Sequence, residues 1–178
     1  GISSYSFYGP DNLLHTTYGN IVKSNNIGLN LFLTWIPGNK TRVFFNGGGG
    51  YNMFSSKEIS QKSSGFDYNA ILGLQHTLPW DLRLSANLIM IGRSVSLQGW
   101  HSGMAMGVLG VTKSILDDML TFSLSGVTHL TGGSGMRQTT WSEGADFTNK
   151  IVNTIPMHTL TFSVSFSLAS TMLSPLVE

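Results

Sequence analysis

The alternation of apolar and polar positions is cleanest near the C-terminal end, over 158–168. Every even position there from Leu160 is large and apolar, and every odd position from Thr159 to Ser167 is serine or threonine. A strand sends successive side chains to opposite faces, so this segment has one hydrocarbon face and one hydroxyl face. Soluble sandwich strands also alternate, but their polar face usually carries charge. A wall between lipid and a wet lumen calls for uncharged polar groups instead.

Six further segments keep the period of two: 27–35, 41–54, 66–78, 82–91, 103–114 and 120–127. In the first, Ile27, Leu29, Leu31, Leu33 and Trp35 oppose Gly28, Asn30, Phe32 and Thr34. Met104, Ala105 and Met106 make the fifth apolar on both faces, and a slip of parity over 91–95 suggests a β-bulge. The piece 2–8 reads as the end of an eighth strand. On this pattern the lipid-facing residues are Leu29, Leu31, Leu72, Leu74, Leu84, Leu160, Phe162, Val164 and Phe166. The lumen-facing polar residues are Asn30, Asn46, Asp67, Asn69, Gln75, Arg83 and Asn87.

The connections carry independent information. Tight turns are expected at 35–40, 78–81 and 115–119, and long polar loops at 9–26, 55–65, 94–102 and 128–156. Short and long connections alternate, as periplasmic turns and external loops do in outer-membrane barrels. Trp35 and Trp80 sit at short turns, while Tyr8, Tyr18, Tyr51, Phe54, Phe66, Tyr68 and Trp100 lie nearer the long loops, in the manner of two interfacial girdles. The run Gly47 to Gly50 lies inside a strand pattern, where it permits bending or close approach.

Composition narrows the classes. Charged residues are 11% of the 178, against about 25% in ordinary soluble domains, while 41% are hydrophobic. Net charge is +1, so no nucleic-acid partner is implied, and the absence of cysteine excludes a disulfide framework. No apolar run is long enough for a transmembrane helix. The opening residues lack a signal peptide, which for an exported protein implies a mature form or a fragment.

Chemistry is sparse. The five histidines, His15, His76, His101, His129 and His158, show no metal-ligand spacing, and His76 and His158 read as interfacial residues near short turns. No nucleophile elbow appears. No catalytic residue, metal or cofactor is therefore expected. Arg137, Trp141, Glu143 and Asp146 in the longest loop are the candidate ligand contacts. Asp67 and Arg83 bring charge onto the polar face, where a wet lumen solvates them.

Several runs resemble one family. Tyr18-Gly19-Asn20-Ile21-Val22-Lys23-Ser24 followed by Gly28-Leu29-Asn30-Leu31 resembles a Tyr-x-Asn-Ile-Gly-Lys-Ser…Gly-Leu-Asn pattern found late in the barrels of TonB-dependent receptors of the Bacteroidetes. Leu74-Gln75-His76-Thr77-Leu78-Pro79-Trp80-Asp81-Leu82-Arg83 resembles the same family's Tyr-Thr-Leu-Pro-Trp-x-Leu-Arg hairpin. The likeness runs in order from Tyr18 to Leu168, with Val22 in place of the usual glycine and His76 in place of tyrosine. It implies a C-terminal barrel segment of a larger receptor, with a plug domain and TonB as partners and about 22 strands in the whole wall.

The expected fold is all-β: one antiparallel up-and-down transmembrane barrel segment of about eight strands over 1–178, with a tail at 169–178. The expected function is uptake of an unidentified solute across the bacterial outer membrane, with lipid around the wall. Two rivals remain on sequence grounds. One is a free-standing eight-stranded outer-membrane barrel with a structural or adhesive role. The other is a soluble ligand-binding barrel with its apolar face inside.

Overall fold

The computed structural model describes residues 1–130 and 134–167. The expected tail at 169–178 lies outside them. Among the described residues thirteen strands form: β1 (Ser3–Tyr8), β2 (Leu14–Gly19), β3 (Lys23–Trp35), β4 (Thr41–Ser56), β5 (Gln61–Thr77), β6 (Leu82–Ile91), β7 (Ser94–Ser96), β8 (Gly99–His101), β9 (Met104–Ile115), β10 (Leu120–His129), β11 (Met136–Glu143), β12 (Thr148–Ile155) and β13 (His158–Phe166). They build a seven-stranded sheet in the order β13-β10-β9-β6-β5-β4-β3, a four-stranded sheet β12-β11-β8-β7, and the hairpin β1-β2. Every pairing is antiparallel.

The seven-stranded sheet is an up-and-down wall. Its register can be followed across all seven strands through the row Trp35, Val43, Leu74, Ala86, Leu109, Gly126 and Leu160. Directly paired residues share a face, so this row and alternate rows define one face, here face A. All nine residues expected to meet lipid lie on face A, and all seven expected polar residues lie on the opposite face, face B.

The same row shows how the strands are staggered. Trp35 ends β3, whereas Leu160 is followed by a further turn-ward stretch of β13 to Phe166. The short turns step down together along the sheet. At ~3.3 Å per residue and ~4.8 Å per strand, a plane through them crosses the strands at a tilt of roughly 40°, the tilt of outer-membrane barrel walls. From His76 to Phe66, face A of β5 covers about 33 Å of strand, or about 25 Å along the normal at that tilt. That matches the height of the outward apolar band in such barrels.

Among the described residues no conventional core lies between layers. Among the described residues the buried apolar side chains are Val22, Ala70, Leu97 and Met136. Face A is instead open, with Leu29 74% exposed, Leu160 76% and Phe162 65%. Large apolar groups are thus not gathered into a dry centre, the arrangement that the soluble-barrel reading requires.

The short turns use left-handed backbone. Gly38 (φ 76°) serves the β3–β4 turn. Trp80 (φ 63°) and Asp81 (φ 56°) serve the β5–β6 turn, where Pro79–Asp81 makes one 3-10 turn. Leu116, Asp117 and Asp118 all take positive φ between β9 and β10. Aspartate tolerates this conformation better than most side chains, which gives the Asp117-Asp118 pair its structural role. Lys113, a cation on face A near these turns, donates to the Trp80 carbonyl.

Five expectations need correction. The piece 2–8 is not an eighth wall strand, because β1 pairs with β2, whose residues lie in the expected loop 9–26. The stretch 55–65 is not a long loop: β4 and β5 stay paired out to Ser56 and Gln61, leaving a turn at 57–60. The loops 94–102 and 128–156 contain paired strands, β7, β8, β11 and β12. No bulge carries the pattern past Ile91, since β6 stops there and β7 turns away to pair with β8. His158 lies at the long-connection end, paired with Thr128, not near a short turn.

Candidate functional site

Face B divides into three zones along the strands. Nearest the short turns it carries Arg42, Gln75, Ser85, Arg83, Thr112, Ser123, Thr161 and Ser163. Arg83 stands 3.8 Å from Asp118 of the neighbouring turn, with both side chains well exposed. Such a pair contributes little to stability. Arg83 and Asp67 do not meet, because they lie at opposite ends of the wall.

The middle zone is apolar, which the sequence reading missed. Phe32, Ile71, Ile89 and Met106 share one row with Asn46 and His129. Phe44, Val108 and Val127 share the next with Asn87. The Phe44 ring lies where a side chain at Gly73 would stand. The signal was present in Phe32 and in the run Met104 to Met106, whose apolar residues fall on both faces.

The upper zone is an amide-rich ladder. Asn26 Nδ2 donates to Asn52 Oδ1 (2.6 Å), and Asn52 Nδ2 donates to Asp67 Oδ2 (2.6 Å), which ties β3, β4 and β5 together. Asn69 Oδ1 accepts from the Gly48 amide (3.1 Å). The glycine run makes this possible. A Cβ at Gly48 would stand 2.1 Å from Asn30 Oδ1, and one at Gly49 would stand 2.7 Å from the Phe66 ring on face A. The glycines therefore admit an asparagine on one face and an aromatic on the other. The ladder walls a polar trough of about 290 Å³ floored by Gly28, Gly48 and Gly50.

Beyond the wall, the long connections form a cap. Val95 fills the space beside Gly65, and the Gln138 amide lies 4.0 Å from Met104 Sδ. Gly65 and Met104 belong to face B, so the cap leans over that face. Gln98 clamps the N-terminal hairpin to the cap: its Oε1 accepts from Ser6 N (2.7 Å) and its Nε2 donates to Ser6 O (3.1 Å). Tyr8 meets Phe147 edge-on at 6.5 Å. At the hairpin's turn, His15 stands 2.9 Å from Asp11, and this hydrogen bond, helped by the Leu13 amide, holds the Asp11 carboxyl below its usual range.

Between the cap and the β4–β5 hairpin lies a cavity of about 900 Å³. Trp100 and Trp141 are direct cross-strand partners in its wall. The Arg93 guanidinium sits 4.0 Å above the Trp100 ring. Trp141 Nε1 donates to Glu143 Oε2 (3.4 Å), and Gln61 Nε2 donates to the Glu143 carbonyl (3.2 Å). Gln61 Oε1 is buried without a hydrogen-bond partner. Indole walls beside the charges of Arg93 and Glu143 and a spare acceptor can hold a ligand that is part apolar and part polar. Of the four expected ligand contacts, Trp141 and Glu143 line this cavity. Arg137 pairs opposite Thr154 in β11–β12, and Asp146 sits in the β11–β12 turn; neither reaches it. Arg93, which the sequence reading did not select, does.

A tilted antiparallel wall with one open apolar face and a capped polar face defines the class: a membrane barrel of the outer-membrane type. The comparison of sequences agrees. Residues 3–167 match the model of the outer membrane protein beta-barrel family, and the chain belongs to that family. It is a bacterial outer-membrane protein. No curated protein and no solved structure matches the chain.

Proposed function

We propose that this chain forms part of the wall of a larger barrel that takes up a solute across the outer membrane as a TonB-dependent receptor. In this reading face A meets acyl chains and face B lines the lumen. The reading assigns no catalytic role, and its partners are lipid, a plug domain, TonB and the solute.

The observation that carries the larger wall is strand direction. β3 and β13 are the two edges of the sheet, and both run from the long-connection end to the short-turn end. They cannot close on each other in antiparallel fashion. Unpaired edges do not survive in hydrocarbon, where backbone groups find no water. An odd number of further strands must stand between them. The apolar middle zone of face B adds support, since a wholly water-filled channel needs no such belt, whereas a domain packed inside does. The Trp100–Trp141 cavity supplies a place for a solute at the outer mouth.

Two measurements test the proposal. Nutrient uptake by cells carrying the intact gene is compared with uptake by a deletion strain and by cells lacking TonB. Loss of the same nutrient in both supports the receptor; uptake that persists without TonB overturns it. One further strand would also make an eight-stranded barrel, the structural or adhesive rival. A mature protein with neither plug nor additional wall would favour that rival.

A further inference from the structure

We propose that the outer end of face A, at Lys23 and Lys62, binds the phosphate of an outer-leaflet glycolipid headgroup. The inference rests on face A meeting lipid. Lys23, Ser55 and Lys62 occupy a single row across β3, β4 and β5. The two lysines are therefore two strand spacings apart, about 10 Å, and point the same way. Both are exposed, and among the described residues neither has an acidic partner: the ion pairs there are His15–Asp11 and Arg83–Asp118.

The row lies at a particular height. The next row down on face A is Asn25, Met53 and Ser64, and beneath it come Tyr51, Phe66 and Tyr68, the aromatic end of the apolar band, with Ile27 and Leu29 beside them. Lys23 stands four residues beyond Ile27, about 10 Å further along the membrane normal at the wall's tilt. Ammonium groups there reach the level at which lipid phosphates lie.

The place is also shaped. A cavity of about 300 Å³ opens beside the row, and Asn25, Met53, Ser55, Lys62 and Ser64 contribute to it from face A. Tyr51 Oη and Ser64 Oγ are hydrogen-bonded at 2.9 Å along its lower edge. Two cations, an amide and hydroxyls suit a phosphorylated sugar, and the aromatic and aliphatic surface beneath suits acyl chains attached to it. A free phosphate would gain nothing from that surface, so the lipid is the occupant we assign. Glu58 is the nearby acid by sequence, and it lies on the 57–60 turn beyond the row.

Native mass spectrometry of the full-length protein in detergent tests the site, with bisphosphorylated lipid A, enzymatically dephosphorylated lipid A, and inorganic phosphate as competitor. The bisphosphorylated lipid should bind far better than the dephosphorylated one. Lys23→Ala with Lys62→Ala should weaken it about 30-fold, while Lys40→Ala at a short turn should leave it unchanged. Equal binding of both lipids, or an unaffected double variant, overturns the proposal. Complete displacement by inorganic phosphate overturns the lipid as occupant. The facing of the wall is read separately, from a bimane label on Leu31→Cys in bilayers of brominated lipid. An unquenched label defeats the facing itself, whereas a quenched label with phosphate-independent binding defeats the headgroup site alone.

Discussion

The wall and the cap are built from the same kind of residues by different rules. In the wall each strand separates two solvents, so its side chains tend to alternate, and β13 does so throughout from Thr159 to Phe166. In the cap both faces of a strand are wet or touch another strand, so the pairing of β11 with β12 leaves no period of two in Thr148–Ile155. Period-two alternation is the signature of a boundary between solvents, and backbone pairing can continue where the boundary ends.

That contrast can be broken most forcefully in β13. Val164→Arg or Phe162→Arg on face A should cost about 2–4 kcal/mol and reduce the assembled fraction, whereas Ser163→Arg should be much milder. Heat-modifiable migration on gels reads the assembled fraction, and equal losses at both faces would remove the distinction. Next comes the cap. A Cβ at Gly99 would stand 1.8 Å from the Trp141 carbonyl, and its φ of 159° is already rare for other residues. Gly99→Ala should open β8 from β11 at a cost of about 1–3 kcal/mol, seen as proteolysis of 94–102 on intact cells while assembly persists. A loss of assembly instead would mean that wall and cap fold as one unit.

Gln98→Ala should cost about 1 kcal/mol through its lost hydrogen bonds to Ser6. Faster amide exchange confined to β1 and β2 would show it, and unchanged exchange would show that the clamp is idle. The smallest effect concerns pH. Asp11 has its carboxyl held low by His15, so its contribution is present above the ordinary carboxylate range near pH 4 and is lost as pH falls through the lowered value. Protection of the β1–β2 hairpin should drop over that acid window, and Asp11→Asn should abolish the dependence.

Much of the wall was legible because lipid leaves so few options. The faces of Leu29, Leu72 and Phe162, and of Asn30, Gln75 and Asn87, follow from parity alone, and antiparallel pairing then brings each set together. The stretch 55–65 was misread for the same reason: its Ser, Lys and Gln rise above the apolar band, where alternation is no longer required, yet the β4–β5 ladder continues. The loop cavity was partly legible. Trp141 and Glu143 drew attention together in a polar loop, but Arg93 matters only through its place over Trp100, which a linear sequence does not display. The apolar zone of face B was hidden because Phe44, Ile71 and Val108 are far apart in the chain.

The reach of the β4–β5 hairpin has a practical consequence. Its two strands carry the 57–60 turn well past Tyr51 and Phe66, while β6 ends at Ile91. The rim is therefore a parapet at this hairpin, while past β6 the chain continues into the cap strands β7 and β8. The 57–60 turn at its top is a place where an antibody or a phage could reach the protein on a living cell, or where an epitope tag could be inserted.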